Sequence, residues 1–279
     1  MRVDHVLILA AGKGTRMGEI GKVIPKVLWP LGNKSLIDLE IKYARRLVGD
    51  VDIYINVYNY KDKLVEHFKE KNSSVQLIIE DEMLDIGGAI HNLAKKLKYT
   101  GNLLIINSDQ FIFMSPKRFK EILERMGSHS GILFAHRVKQ EEKYNKLKLR
   151  KGLLLDEIVP HAIVTEAEYL TYTGMSIIKL DDLSLREGCS KFFDSVVEFK
   201  DKNYVIEDMS DMEYWDFGTV QQYFDNIHKL KNKTKSEFYH FLCNELEEFE
   251  QVIREDVVQF GEFTINKELI EYAGIKTKI

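Results

Sequence analysis

"LILAAGKGTRMGEIGKVIPKVLWPLGNKSLID" occupies residues 7–38. It continues an apolar run, "VLILA" at 6–10. A run apolar at every position, too short for a helix, is the pattern of a strand buried on both faces of a sheet. A loop follows, broken by Gly12, Gly14, Gly18 and Gly21 and carrying Lys13, Arg16, Lys22 and Lys26. Loops that leave the carboxyl end of a parallel strand stand where ligands bind in α/β sheets. Glycine there lets backbone N–H groups approach an anion, and the cations supply the opposite charge. Phosphate binding is the direct reading.

Two familiar phosphate loops fail on spacing. G-x-G-x-x-G must open straight into a helix. Here Gly18 comes one place late, and Pro25 and Pro30 bar an uninterrupted helix over 19–34. A dinucleotide-binding dehydrogenase is disfavoured on that ground. The G-x-x-x-x-G-K-[ST] loop is broken by Met17 and Glu19.

Outward from this stretch, strands are expected at 51–57, 75–80, 102–109 and 131–138, alternating with helices at 36–47, 61–71, 88–97 and 116–126. Strand–helix repetition with nearly all-apolar strands predicts an α/β fold, a mostly parallel sheet flanked by helices. After 138 the pattern becomes mixed. Two strands over 144–160 are joined by a turn at Lys151–Gly152, and a strand over 169–180 contains Gly174. A helix-like segment at 190–199, a short strand at 204–208, a strand or turn closing 211–217 and a helix at 219–230 complete this half. "KNKTKSE" then reads as a polar linker, and 237–255 has apolar residues at helical spacing. The expected division is a domain at 1–231 and a helical C-terminal extension at 232–279, packed on that domain or joining copies into a homo-oligomer.

Composition removes other classes. At 279 residues, 44% of them hydrophobic, the chain can build its core without disulfides. Its two cysteines, Cys189 and Cys243, lie far apart in no metal or disulfide motif, which fits a reducing, cytoplasmic compartment. A net charge of −4 argues against general nucleic-acid binding. "VLILAA" is too short to span a bilayer and lacks a signal-peptide layout, so no membrane insertion is expected.

Five ordered motifs carry a resemblance over roughly 1–230: "LAAGKGTRM" with "PK" and "LWPLGNKSLID", then "EDEMLDIGGAI" (80–90), "LLIINSDQF" (103–111), "YTGMSII" (172–178) and "YWDFGTVQQYF" (214–224). Together they resemble the sugar-1-phosphate nucleotidyltransferases, most of all the guanylyl- and uridylyltransferases of mannose, heptose and N-acetylmuramate 1-phosphate. The resemblance implies a Rossmann-like GT-A nucleotidyltransferase fold. It implies a magnesium-dependent transfer of NMP from an NTP to a sugar 1-phosphate, with release of pyrophosphate, in nucleotide-sugar supply for cell-envelope polysaccharide.

It also implies roles. Leu9, Ala11, Gly12, Gly14 and Thr15 would border the nucleotide, the glycine loop giving backbone donors to its phosphates. Arg16 would hold the β- and γ-phosphates and Lys26 the α-phosphate. Asp109 and Asp216 match the family's magnesium-binding aspartates, though Asp216 also reads as a cap for the helix near Thr219. Gly87 and Gly88 would line the base and ribose pocket. Glu80 would accept from guanine N1–H and N2–H, or else be a solvated strand end. Asn107, Thr173 and Gly174 would face the sugar. The chain departs from the family at Ser108, where glycine is common, and in "DEIVPHA" (156–162), where a lysine usually grips the sugar phosphate. His161 and Lys179 are substitutes to consider for that lysine. Two other functions stay open: a cytidylyltransferase of the same fold acting on a non-sugar phosphate such as phosphocholine, and a nucleotide-binding sensor without activity.

Overall fold

The computed structural model describes residues 1–12, 14, 21, 24–70, 75–246, 257–260 and 263–266. The chain forms two compact units. The first comprises Met1–Ala11, Ala44–Asn107 and Met114–Met212, and the second Gly12–Tyr43, Ser108–Phe113 and Glu213–Ile279.

The first unit is built on one nine-stranded sheet. Its strands are β1 (His5–Leu9), β4 (Asp52–Val57), β5 (Gln76–Ile79), β6 (Asn102–Asn107), β8 (Gly131–Lys139), β9 (Lys146–Arg150), β10 (Leu154–Val159), β11 (Glu168–Lys179) and β12 (Tyr204–Asp208), in the order β5-β4-β1-β6-β11-β8-β12-β10-β9. β1 runs parallel to β4 and β6, β4 to β5, and β8 to β12, while β11 is inserted antiparallel between β6 and β8. Val6, Leu7 and Ile8 are wholly buried, as a central strand of this composition requires. Register brings Leu9 level with both Asn56 and Asn107, so three carboxyl ends line up on one edge.

Helices α2 (Lys61–Glu70), α3 (Asp85–Lys96) and α4 (Pro116–Arg125) serve this unit. α4 follows its sequence cues closely. Ser115 accepts from Arg118 N–H, Pro116 takes the first turn, and Phe119, Ile122 and Leu123 face inward. Arg118 and Arg125 both donate to the buried Glu207 of β12 at 2.8 Å, tying helix to sheet. The segment expected to be helix-like at 190–199 makes a single wide π-type turn, Phe193–Val197, stopped at Glu198 with φ 41°. Phe192 stacks on Tyr172 at 5.2 Å between ring centroids, so packing of two successive aromatics governs this stretch.

The second unit has small ladders in place of a large sheet. β2 (Pro30–Leu31) pairs with β3 (Lys34–Ser35), β7 (Gln110–Phe113) with β13 (Glu213–Asp216), and β14 (Val257–Phe260) with β15 (Phe263–Asn266). Its helices are α5 (Val220–Asn232) and α6 (Glu237–Glu245); α1 (Leu36–Val48) begins in this unit. The core is aromatic: Phe238 of α6 lies 5.0 Å from Phe111, 5.7 Å from Phe113 and 5.1 Å from Trp215. The C-terminal extension thus contributes a helix to that core, capped by Ser236. Farther on, its β-branched and aromatic residues form the β14–β15 ladder in place of further helix. β7 is a finding the sequence pattern did not separate: the strand expected over 102–109 ends at Asn107, and a new one starts at Gln110. No helix among the described residues is long and apolar enough to cross a membrane.

Candidate active site

In the second unit the β7–β13 ladder brings Asp109 and Asp216 together. Gln110 is the register partner of Asp216, and Phe217 N–H donates to the Asp109 carbonyl at 2.8 Å. Both carboxylates are buried, with 6% and 9% of the residue exposed. Asp216 is held on all sides. Oδ1 accepts from Gly218 N–H at 2.7 Å, and Oδ2 accepts from the Gln110 and Gln222 amides at 3.2 Å each. Its carbonyl accepts from Asn226 at 2.7 Å. Burial, and then the charge of Asp109, push the Asp216 carboxyl above its ordinary range; the Gly218 N–H, Gln110 and Lys26 oppose this. The helix-cap reading of Asp216 does not hold, because Thr219 caps α5 by accepting from Gln222 N–H.

Lys26 completes the group. Pro25 starts a single 3-10 turn, Lys26–Leu28, whose buried Val27 anchors it. From there Lys26 Nζ forms an ion pair with Asp109, with only 15% of its side chain exposed. The prolines thus keep Lys26 out of a helix and turn it toward an acidic pair.

The residues present fit a divalent cation. An added Cβ at Gly218 would sit 2.7 Å from Asp216 Oδ1 and 3.1 Å from Asp109 Oδ2, so glycine leaves open a cradle between the two carboxylates. Among the described residues no three His, Cys, Asp or Glu side chains converge on a metal site. Two carboxylates suit magnesium, which takes the rest of its shell from phosphate oxygens and water.

In the first unit a different polar set lines the carboxyl edge of the sheet. Asn56 Oδ1 accepts from Ala10 N–H at 2.8 Å, and its Nδ2 donates to Glu80 Oε1 at 2.8 Å. Asn59 Nδ2 donates to the Ala11 carbonyl at 3.3 Å. The chain beyond Leu9 is therefore fixed by two asparagines. Glu80 is no solvated strand end: it is buried, which raises its carboxyl above the ordinary range against the donors of Asn56 and Leu84. Asn56 is the residue of this edge that sequence reasoning passed over. Its one signal was an amide inside the apolar run "VDIYINV".

Other expected site residues fall as follows. Thr15 and Arg16 lie outside the described residues, as do Lys13 and Lys22. Gly14 has φ +62°, which explains glycine there; Gly12 has open space around it. Gly87 and Gly88 meet the chain's own backbone: a Cβ on Gly87 would lie 2.6 Å from the Lys191 carbonyl, and one on Gly88 2.4 Å from that of Gly188. Their small size serves packing of the 188–195 segment on α3. Thr173 is buried and donates to the Phe134 carbonyl at 2.8 Å, while Gly174, at φ +87°, makes the bulge between Tyr172 and Ser176. Asn107 closes β6 beside Leu9. Lys179 pairs with Asn102 at the opposite end of β6 from Asn107 and donates to the Gly127 carbonyl, which removes it as a phosphate anchor. His161 packs against the hydroxyl of Tyr169.

The family model described as "Nucleotidyl transferase" matches residues 5–233, and the chain belongs to that family. It is 29% identical over 164 residues to the bifunctional protein GlmU of Buchnera aphidicola subsp. Baizongia pistaciae, covering 59% of this chain and 35% of that one. It is 37% identical over 105 residues to the GlmU of Prochlorococcus marinus, covering 37% and 22%. The chain therefore spans about a third or less of the length of these curated relatives. In fold it resembles HddC from Yersinia pseudotuberculosis complexed with GMP-PN, at TM-score 0.66 and 21% identity over 81% of this chain and 99% of that one. It also resembles a UDP-glucose pyrophosphorylase complexed with UDP-glucose, at TM-score 0.67 and 19% identity over 82% and 99%.

Proposed function

We propose that this protein transfers a nucleoside monophosphate from an NTP to a sugar 1-phosphate. The observation that carries the reading is the buried pair Asp109 and Asp216, open at Gly218 and matched to Lys26. An oxygen of the sugar phosphate attacks the α-phosphorus, the bond to the β-phosphate breaks, and pyrophosphate leaves. The nucleophile is already an anion, so no general base is needed. The work is charge neutralisation and in-line positioning of two polyanions. Asp109 and Asp216 would hold a magnesium ion, which when bound would neutralise charge at the phosphate oxygens. Lys26 brings its ammonium to the α-phosphate, Arg16 to the β- and γ-phosphates, and Gly12, Gly14 and Thr15 offer backbone donors. Asn107, Thr173 and Gly174 border the sugar.

Guanine is the base best supported. Glu80 is a buried carboxylate with two donors from the protein, Asn56 and Leu84, and N1–H and N2–H of guanine would add two more to an anion that burial leaves short of them. The Nδ2 of Asn56 keeps the carboxylate aimed.

The test is pyrophosphate release with magnesium, for four NTPs against mannose, heptose, glucose and N-acetylmuramate 1-phosphates and phosphocholine. Release with GTP and one sugar 1-phosphate is expected. Release only with CTP and phosphocholine would move the protein to the cytidylyltransferases. NTP binding without release from any pair would favour the sensor.

A further inference from the structure

The second unit buries its carboxyls in two ways. Glu40, on α1, is buried completely, and neither of its oxygens has a hydrogen-bond partner. Asp216 is the reverse: both carboxylate oxygens and the carbonyl accept hydrogen bonds. Two of those bonds come from α5.

That helix opens as "TVQQYFDN" (219–226), with two adjacent glutamines that the sequence does not tell apart. Helical geometry sends them in different directions. Gln221 stays on the surface of its own helix and donates to Asp225 Oδ1 at 2.8 Å. Gln222 shares a stripe with Thr219 and Asn226, spaced as helical neighbours are. Along that stripe Gln222 Nε2 donates to Asp216 Oδ2 at 3.2 Å, and Asn226 Nδ2 donates to the Asp216 carbonyl at 2.7 Å.

Thr219 orients the Gln222 amide. Its hydroxyl accepts from the Gln222 N–H at 3.2 Å, which caps the helix, and donates to Gln222 Oε1 at 2.9 Å. With Oε1 accepting there, the amide NH₂ faces Asp216. The two oxygens of Asp216 then have different tasks. Oδ2 is tied by the amides of Gln110 and Gln222. Oδ1, bonded to Gly218 N–H, is the oxygen that faces the Gly218 cradle. Amides are neutral donors: they fix an anion and leave its charge in place, where a lysine or arginine would cancel it.

We propose that Gln222, oriented by Thr219, is a positioning residue for the cation site: it holds Asp216 Oδ2 so that Oδ1 is presented to the cradle with its charge intact. The inference rests on the cation-binding reading of Asp109 and Asp216, and extends it to two side chains outside that pair.

The experiment uses the full chain without nucleotide. It reads Mn²⁺ affinity and the bound-ion line shape by EPR, beside melting temperature. Gln222→Met keeps the length of the side chain and removes the donor. It is expected to bind Mn²⁺ about tenfold more weakly and to change the bound-ion line shape. Gln221→Met, on the neighbouring face, should match wild type. Thr219→Ala should bind Mn²⁺ more weakly, and Thr219→Ser, which keeps the hydroxyl, should match wild type. Unchanged Mn²⁺ affinity and line shape in Gln222→Met, whatever its melting temperature, would overturn the proposal and leave Gln222 a packing contact. Equal losses in Gln221→Met would overturn it too, by making the loss a general property of the helix start. If Gln222→Met does not fold, the Thr219 variants decide, and equal affinities of Thr219→Ala and Thr219→Ser would overturn it. A wild type that binds no Mn²⁺ would overturn the cation reading itself, and this inference with it.

Discussion

Glu80 and the Asp109–Asp216 pair are all buried carboxylates, and they are treated differently. At the sheet edge of the first unit Glu80 meets neutral donors, Asn56 and Leu84. In the second unit Lys26 pairs with Asp109 and acts on Asp216, a cation shared between two buried carboxylates. On the function proposed above, Glu80 would read hydrogen-bond donors of a base, while Asp109 and Asp216, two carboxylates beside a lysine, would take a cation from outside.

The largest effect expected from breaking this contrast is at Lys26. Lys26→Ala should lower turnover by about 10²- to 10³-fold and also lower the melting temperature, because a buried carboxylate loses its partner, read as pyrophosphate release beside a thermal scan. Next is Gly218→Ala, whose methyl would lie 2.7 Å from Asp216 Oδ1. Its Mn²⁺ affinity should fall by roughly tenfold or more, and unchanged affinity would mean the cradle is not where the cation sits.

How far these regions could be read from sequence follows the same divide. β1 was legible because "VLIL" is apolar throughout, whereas Asp109 and Asp216 were singled out by the resemblance of "LLIINSDQF" and "YWDFGTVQQYF" to the family's motifs. β7 was not, because "QFIF" after Asp109 looks continuous with the strand before it; the break is made by the turn. Glu40 was invisible, since one polar residue in an amphipathic helix reads as solvated until its face is known. Gly87 and Gly88 were singled out by the resemblance, and their close approach to the 188–195 backbone is a long-range contact that local pattern does not encode. Thr15 and Arg16 were singled out by the resemblance and lie outside the described residues.

On the first unit's side, Asn56→Leu should remove the acceptor for Ala10 N–H and a donor to Glu80 together. A loss of about 1–3 kcal/mol is expected from two buried groups left unpaired, measured by denaturant unfolding. Glu80→Gln should cost less stability and weaken discrimination for GTP over the other NTPs.

The smallest effect is pH dependence. Burial raises Glu40, so the folded state holds its proton more tightly than the unfolded chain does. Its cost to stability is full above the raised pKa and disappears as pH falls toward the ordinary carboxyl range. The melting-temperature advantage of Glu40→Gln over wild type should therefore shrink from about pH 8 to about pH 5. An advantage that grows on acidification would contradict a buried, raised carboxyl.

The central claim is that Asp109 serves a reaction at phosphate. The measurement that meets it most directly is pyrophosphate release by Asp109→Asn and wild type, side by side, with the best NTP and sugar 1-phosphate pair and saturating magnesium. The account predicts a loss of at least about 10²-fold in a variant that still folds and binds NTP. Turnover equal to wild type would contradict it.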